Sequence, residues 1–193
     1  NKLSTYETLV NQKISIELPD HSKVKLNALS QIEFKKANWQ DNRDVKLKGE
    51  AFFIVEKGSK FNVVTNTGLV TVVGTEFNVM QRKNYFEVKC FEGIVKVNSN
   101  SIERILYAGD SFQIINGVFE AEKISSKEPK WISGVSSFNE VPFRMVIDEL
   151  KRQYNVNISF KNVSLSRQFS GGFKHNNLEK ALIAITKPMS LTY

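Results

Sequence analysis

The sequence is poor in the residues that most often carry chemistry. Its 193 residues include one cysteine and two histidines. The single thiol, Cys90, excludes an internal disulfide and any metal site built from several cysteines. We expect it to be a buried apolar residue, because alternation along its strand places it beside Phe86 and Val88. No metal-ligand spacing of histidine, cysteine or carboxylate occurs either. We therefore predict neither a metal nor a cofactor.

Long apolar runs are also missing. The longest is Ala51–Val55, whereas a helix that spans a bilayer needs about 20 apolar residues. Residues 1–10 have neither an initiating methionine nor the apolar core of a signal peptide. We therefore expect no membrane-spanning segment in this sequence and interpret the chain as a trimmed or mature fragment.

The sequence also offers few candidate catalytic residues. A serine or cysteine nucleophile needs a positioned histidine, but His21 lies in a predicted turn and His175 in a predicted loop, where both are expected on the surface. The pair Gly171-Gly172 interrupts a strand and is not followed directly by a helix, so it is not a phosphate-binding loop. We predict that the protein is not an enzyme and has no catalytic residues.

What the sequence does contain is a series of short strands. With 41% apolar residues and fourteen phenylalanines, the chain can build a core. Apolar segments that alternate or are fully apolar recur through the first 130 residues, many bounded by Gly, Asn, Asp or Ser. We predict an all-β domain at 1–121, a β-sandwich or flattened barrel of short antiparallel strands. The predicted strands are Ile14–Leu18, Lys23–Leu26, Gln31–Phe34, Val45–Lys48, Ala51–Val55, Phe61–Thr65, Leu69–Val73, Glu76–Met80, Tyr85–Phe91, Ile94–Val97, Ile105–Leu106, Ser111–Ile114 and Phe119–Ala121.

The pattern changes after residue 121. Pro129 and its charged neighbours predict a linker at 122–133. Residues 134–193 then show helical periodicity, and we predict a small α+β domain of β-α-β-β-α-β order. Its last strand is expected to be shortened. The predicted elements are a strand at 136–138, a helix from Phe143 to Tyr154 with Asn139 as its N-cap, strands at 156–160 and 168–173, a helix at 178–186, and a strand that begins at 190.

Several motifs of the β domain come in the order and spacing of a known family. The most specific are Gly49-Glu50-Ala51-Phe52-Phe53 and Gly74-Thr75-Glu76-Phe77-Asn78-Val79. Leu18–Asn27, Phe91–Val97 and Ala108–Ser111 continue the pattern. In these motifs residues 10–120 resemble the FecR family. The phenylalanines of the motifs are expected in the core, so they identify the family without marking a binding surface.

Residues 134–193 resemble the domain that follows in Bacteroidetes members of that family. It is similar to the short N-terminal domain of secretins and TonB-dependent proteins. Asn139, Pro142-Phe143, Tyr154-Asn155-Val156 and Phe169-Ser170-Gly171 carry this resemblance.

The resemblance implies the periplasmic sensor region of a transmembrane anti-sigma factor. Such a region takes part in cell-surface signalling: it receives a signal from the signalling domain of a TonB-dependent outer-membrane transporter and relays it to an extracytoplasmic-function sigma factor. The family's cytoplasmic segment and membrane anchor have no counterpart in these residues. Sigma-factor binding therefore cannot be assigned to any residue here.

Two other functions compete with this interpretation. A carbohydrate- or small-ligand-binding β module would need exposed aromatic side chains, for which Trp39 and Trp131 are the candidates. Nucleic-acid binding would use the net charge of +7, but the lysines and arginines are scattered between acids and do not form one stripe. We therefore favour protein–protein interaction and predict no nucleic-acid partner.

For the partner site we predict an exposed strand edge in the second domain. The candidate strand is Gln168-Phe169-Ser170-Gly171-Gly172-Phe173, since its two glycines suit an accessible, kinked strand. The flanking Arg167 and Lys174 would meet an acidic partner. The alternative is an ordinary core strand with Phe169 and Phe173 pointing inward.

Overall fold

The computed structural model describes residues 3–193. Contacts divide the chain into two compact units, Asn1–Lys127 and Glu128–Tyr193. The division lies inside the segment predicted as a linker, where a strand reaches Lys123 and a single 3-10 turn spans Lys130–Ser133. Among the described residues, no helix is long and apolar enough to cross a membrane.

The first unit is built from thirteen strands, joined by tight turns that often contain asparagine or glycine with positive φ. In chain order they are β1 Leu3–Glu7, β2 Ile14–Glu17, β3 Lys23–Leu26, β4 Gln31–Lys35, β5 Arg43–Ile54, β6 Phe61–Val64, β7 Leu69–Val72, β8 Glu76–Arg82, β9 Tyr85–Glu92, β10 Ile94–Ser99, β11 Ile102–Tyr107, β12 Asp110–Ile115 and β13 Val118–Lys123.

These strands form one curled sheet with two halves that share the long strand β5. The first part of β5 pairs with β4 and β6, and the second part pairs with β3 and β8. Sheet I has the order β1-β4-β5-β6-β7-β10-β11, and sheet II has the order β2-β3-β5-β8-β9-β12-β13. The crossing point is Gly49, whose φ is +95°. A side chain there would collide with Ser30, because its Cβ would lie 2.8 Å from the Ser30 Cα.

The inward side chains of both halves make one core. Phe53 and Phe77 stack with ring centroids 5.1 Å apart, and Phe53 also meets Phe61 of sheet I edge to face at 6.1 Å. Cys90 lies in this cluster and is fully buried, which confirms the prediction. Each half covers the apolar face of the other, so the inward side chains of both halves are removed from water.

The predicted fold class is confirmed, with three differences in detail. The two strands predicted at 45–48 and 51–55 are one continuous strand, because Gly49 bends the chain without ending the pairing. Strand β1 was not predicted. One neighbouring pair, β5 with β6, is parallel, whereas only antiparallel pairing was expected.

The second unit contains two strands and two helices in the order β-α-β-α. They are β14 Val135–Pro142, α1 Phe143–Tyr154, β15 Gln168–Lys174 and α2 Leu178–Thr186, followed by a 3-10 turn at Lys187–Met189. Strands β14 and β15 pair antiparallel. Both predicted helices are present, and each buries an apolar face: Val146, Ile147 and Leu150 of α1 and Ile185 of α2 are buried.

The predicted order β-α-β-β-α-β is wrong in two places. Residues 156–160 are not a strand: they carry an alternating pattern, but no neighbouring strand pairs with them in the described chain. Residues 190–193 do not begin a strand either, since Ser190 adopts φ 56° and the Leu191 N–H donates to the Thr186 carbonyl at 3.0 Å. Ser190 and Leu191 instead terminate the helical segment that begins with α2.

The start of α1 also differs from the prediction. Asn139 is not its N-cap: β14 runs on to Pro142 with a register shift between Phe138 and Val141. The first helical N–H groups donate instead to backbone carbonyls of the loop before β15. Phe143 N bonds Arg167 O at 2.8 Å and Arg144 N bonds Leu165 O at 2.9 Å. These two loop carbonyls therefore accept the hydrogen bonds that a side-chain N-cap would otherwise accept.

Candidate functional site

The strand predicted at 168–173 is present as β15, and among the residues that the structure describes its sheet has two strands. Along β15 the burial alternates: Phe169 and Phe173 are 2% and 3% exposed, whereas Gln168, Ser170 and Lys174 are exposed. Phe138 of β14 packs against both buried rings, with centroids about 6 Å away. Phe143 of α1 also meets Phe169, at 5.9 Å. One face of β15 therefore belongs to the core of this unit.

The hydrogen-bond pattern shows which backbone groups of β15 point away from β14. The His175 N–H donates to the Gly134 carbonyl at 2.9 Å, so these two residues are a hydrogen-bonded pair. Such pairs alternate along an antiparallel ladder. Phe173 and Gly171 therefore face β14, whereas Ser170, Gly172 and Lys174 direct their N–H and C=O groups to the other side.

That other side meets no strand in the part of the chain that the structure describes, since β15 pairs with β14 alone. We call the outward backbone groups of Ser170, Gly172 and Lys174 the open edge. One of them is in use: the Lys174 carbonyl accepts a hydrogen bond from the hydroxyl of Tyr154. The same hydroxyl accepts from the Asn177 N–H at 2.9 Å. The end of the strand is thereby fixed against both helices.

The two glycines of the strand allow this geometry. Gly171 has φ +148°, and a Cβ there would lie 3.0 Å from the Phe169 ring. At Gly172 a Cβ would lie 2.3 Å from the Ser136 carbonyl oxygen of β14, so no side chain fits without moving the strands apart. Opposite them, the Glu140 N–H in the bulge of β14 donates to the Ser170 hydroxyl at 2.9 Å. The strand is kinked and held in place, as the glycine pair indicated.

The structure bears on the core-strand alternative, whereas partner binding at this strand stays a prediction. Phe169 and Phe173 do point inward, as the core-strand alternative stated, and the strand edge is nevertheless open. Its ends carry positive charge: Lys174 is exposed, and Arg167 is exposed overall while its Nη1 donates to the Met189 carbonyl at 2.9 Å. The predicted residues 167–174 thus form one continuous segment, with backbone donors and acceptors between two cations.

A polar cluster behind the strand was not predicted. The Ser136 hydroxyl of β14 donates to Glu149 Oε1 of α1 at 3.1 Å and lies 2.8 Å from His175 Nε2. Gln153 and Arg152 also donate to Glu149, at 2.9 and 2.8 Å. Glu149 and Ser136 are buried and His175 is half-buried, which corrects the expected surface position of His175. The hydroxyl is closed off from solvent, and the cluster joins β14 and the end of β15 to α1.

The two tryptophans that were candidates for sugar binding are not positioned to bind a sugar. Trp39 and Trp131 are both buried, so neither offers an aromatic platform to a sugar. Within residues 3–193 no group of three or more histidine, cysteine, aspartate or glutamate side chains could hold a metal ion.

Comparison with known families identifies the chain. The family model described as FecR protein matches residues 4–96, and the model described as FecR, C-terminal, matches residues 136–193. The two matches follow the two structural units and together cover most of the chain. This chain belongs to the FecR family of anti-sigma factors.

Solved structures agree with that assignment. Two crystal structures of a candidate anti-sigma factor from Parabacteroides distasonis ATCC 8503, at 2.50 and 1.65 Å resolution, are each 28% identical to this chain. The first has a TM-score of 0.89 and covers 100% of this chain and 94% of its own. The second has a TM-score of 0.87 and covers 98% and 93%. No curated protein matches the chain.

Proposed function

We propose that this chain is the periplasmic sensor region of an anti-sigma factor that relays a signal by protein–protein interaction. The upstream partner is the signalling domain of a TonB-dependent outer-membrane transporter, and the downstream target is an extracytoplasmic-function sigma factor. Family membership supports the regulatory role. Sigma-factor binding is assigned to no residue of this chain.

The observation that carries the upstream half of the proposal is the open edge of β15. A sheet of two strands leaves main-chain donors and acceptors at its border, and such borders commonly recruit a further strand. At this border the groups of Ser170 and Gly172 have no backbone partner among the described residues, and hydrogen bonds made by Arg167 and to the Lys174 carbonyl by Tyr154 anchor the two ends of the strand. The edge is therefore preorganised, which lowers the entropic cost of binding.

The proposed complex is a strand addition. An extended segment of the transporter's signalling domain lies along residues 168–174 and exchanges hydrogen bonds with the backbone of Ser170 and Gly172. Arg167 and Lys174 lie at the two ends, so acidic side chains on the incoming segment accelerate association. Phe169 and Phe173 stay in the core and provide the stiff backing of the strand.

The experiment is a calorimetric titration of this chain with the signalling domain of the transporter encoded beside it. Ser170→Pro removes one outward N–H and places a ring at the open edge. Tenfold weaker binding corresponds to about 1.4 kcal/mol, and we expect a dissociation constant at least about tenfold higher for this variant.

A matched control separates the backbone donor from the side chain. Ser170→Ala also loses the hydroxyl that accepts from Glu140, but it keeps the N–H. We expect Ser170→Ala to bind nearly as tightly as the wild type. Undiminished binding by a folded Ser170→Pro variant, with its fold checked by circular dichroism, would move the interface elsewhere, first to the outer face of α1. Equal weakening in both variants would point to the Ser170 hydroxyl rather than to strand addition.

A further inference from the structure

Sheet I ends at strand β11, which pairs with β10 alone among the residues that the structure describes. Ser99 and Ile102 flank a two-residue turn, so they are a hydrogen-bonded pair of the β10–β11 hairpin. Because such pairs alternate along an antiparallel ladder, Arg104 and Leu106 also bond β10. The backbone groups that point away from the sheet belong to the residues between them, Glu103, Ile105 and Tyr107.

Two of these outward backbone groups are bonded to side chains of the same chain. The Tyr107 N–H donates to Asp110 Oδ2 at 2.9 Å, and the Glu103 carbonyl accepts from Arg104 Nη1 at 2.8 Å. Both bonds agree with the outward orientation. Within residues 3–193, the Glu103 N–H, both groups of Ile105 and the Tyr107 carbonyl have no such partner.

A second, antiparallel copy of β11 matches this set of groups when the pairing is centred on Ile105. The two Ile105 residues then lie opposite each other, and Glu103 lies opposite Tyr107 of the second copy. The free Glu103 N–H meets the free Tyr107 carbonyl, and the two Ile105 residues exchange both of their hydrogen bonds. The two groups already in use, the Tyr107 N–H and the Glu103 carbonyl, also face each other, so they exchange their side-chain partners for one another.

The side chains fit the same register. Pairing releases Asp110 of one copy and Arg104 of the other at the same end of the paired strands, where their charges are opposite. Ile105 and Tyr107 are 55% and 57% exposed, and pairing sets the two Ile105 side chains next to each other on the outer face. Glu103 lies opposite an uncharged tyrosine, so no like charges oppose each other.

The corresponding border of sheet II, strand β13, does not fit a second copy of itself. The Ile124 N–H donates to the Gly109 carbonyl at 2.8 Å, so alternation makes Ala121 the middle outward residue of β13. Antiparallel pairing centred on Ala121 sets Glu120 of each copy opposite Glu122 of the other. Like charges directly opposite each other destabilise a sheet. The charge pattern therefore favours self-pairing at β11 and opposes it at β13.

We infer that β11 pairs with β11 of a second copy of this chain, so that sheet I continues across a two-fold axis at Ile105. The backbone groups, the central isoleucines and the charges at both ends each complement their own copies. The contact consists of one six-residue strand from each copy. Such a contact is small beside a standard interface, so the dimer is weak and forms at high protein concentration.

Analytical ultracentrifugation and amide hydrogen exchange of the 193-residue chain test the inference together. Between about 10 μM and about 1 mM we expect the average mass to rise from the monomer value of 22.0 kDa toward twice that value. Over the same range the exchange of the Glu103 and Ile105 amides should slow in proportion to the remaining monomer, whereas Arg104 and Leu106 should be protected throughout. A chain that stays monomeric overturns the inference, and so does a dimer in which the Glu103 and Ile105 amides exchange as fast as in the monomer.

Three variants show whether the strand border is responsible. Ile105→Pro removes the outward N–H at the two-fold axis but no donor of the β10–β11 ladder, and it should raise the dissociation constant at least about tenfold. Ala121→Pro is the matched control, because it removes the outward N–H in the middle of β13, and it should dimerise like the wild type. Ile105→Thr keeps the N–H and should lose less affinity than Ile105→Pro. Undiminished dimerisation by an Ile105→Pro variant that is folded by circular dichroism, or an equal loss in Ala121→Pro, overturns the inference.

Discussion

Arg43 holds the rim of the first unit together, and its removal should be among the most damaging single changes there. The side chain is buried. Its Nη1 donates to Asp20 Oδ2 at 2.7 Å and to the Glu56 carbonyl at 2.9 Å. Its Nη2 donates to the carbonyls of Ser59 and, at 3.3 Å, Val73. One guanidinium thus joins a turn, a loop and the end of β7.

We expect Arg43→Met to lower the free energy of unfolding by about 3–5 kcal/mol. Methionine keeps the aliphatic volume but removes the charge, and breaking a mostly buried ion pair from one side costs about that much. The carbonyls left without a donor act in the same direction.

Urea unfolding followed by the fluorescence of Trp39 measures this loss. Trp39 packs against Phe61, over whose ring the Arg43 guanidinium lies, and a Trp131→Phe background removes the other tryptophan signal. Arg104→Met is the control: Arg104 is exposed and bonds the neighbouring Glu103 carbonyl, so its loss should cost about 0.5 kcal/mol. Equal costs for the two variants, or a loss of less than about 1 kcal/mol for Arg43→Met, would refute the reasoning.

The difference in stability between the wild type and the companion variant Asp20→Asn should depend on pH, with a sign that follows from the pKa of Asp20. Burial acts to raise the pKa of Asp20, but hydrogen bonds from Arg43 and Ser22 outweigh it, so the pKa lies below the ordinary value of 3.8. A lowered folded-state pKa contributes stability above the ordinary value, and this stability is lost as pH falls through the folded-state pKa. The wild type should therefore exceed Asp20→Asn in stability near pH 7, with the difference shrinking below about pH 4. A difference independent of pH would contradict the assigned ion pair.

Four further predictions follow from the same structure. Burial raises the pKa of Cys90 to about 11, so the native thiol should resist alkylation at about pH 8 and react only on unfolding; rapid native labelling would contradict this. The hydrogen bond and charge of Glu17 raise the pKa of His21 above 6.5, and Glu17→Gln should lower this pKa toward its ordinary value, as measured by NMR titration; an unchanged value would exclude that cause. Gly49→Ala should lower stability by at least about 2 kcal/mol in thermal unfolding, since φ is +95° and the site is filled; a neutral effect would mean that the corner relaxes. Limited trypsin digestion should cut near Lys127–Lys130 and release a stable β fragment, whereas a single resistant unit would mean that the predicted linker packs into one core.

Strands and helices were predicted well from the sequence wherever a local pattern is sufficient to define them. Alternation placed almost every strand of the first unit, and the periodicity of Phe143–Tyr154 and Leu178–Thr186 placed both helices. The error at residues 156–160 has a different origin, because a strand exists only if a neighbour accepts its hydrogen bonds, and that depends on tertiary structure. Single-residue signals likewise cannot show that the carbonyls of Leu165 and Arg167 satisfy the first turn of α1.

Partner binding at residues 167–174 stays a prediction, and the geometry of this segment could not be predicted from the sequence. The glycine pair and the flanking cations drew attention to residues 167–174. Which side of the strand is open follows only from the pairing of His175 with Gly134. The cluster around Glu149 was out of reach of sequence reasoning, since Ser136, Glu149 and His175 come from three separate elements.

The strand β5 has a consequence for how the first unit unfolds. Because it pairs along its length with β3, β4, β6 and β8, neither half of the curled sheet can be lost without stripping hydrogen bonds from a strand that the other half needs. Partial opening should therefore be confined to the outer strands, and the amides at the centre of β5 should exchange with solvent only through global unfolding. We therefore expect a perturbation of the first unit to affect both halves of the curled sheet together, without the separate opening of one half.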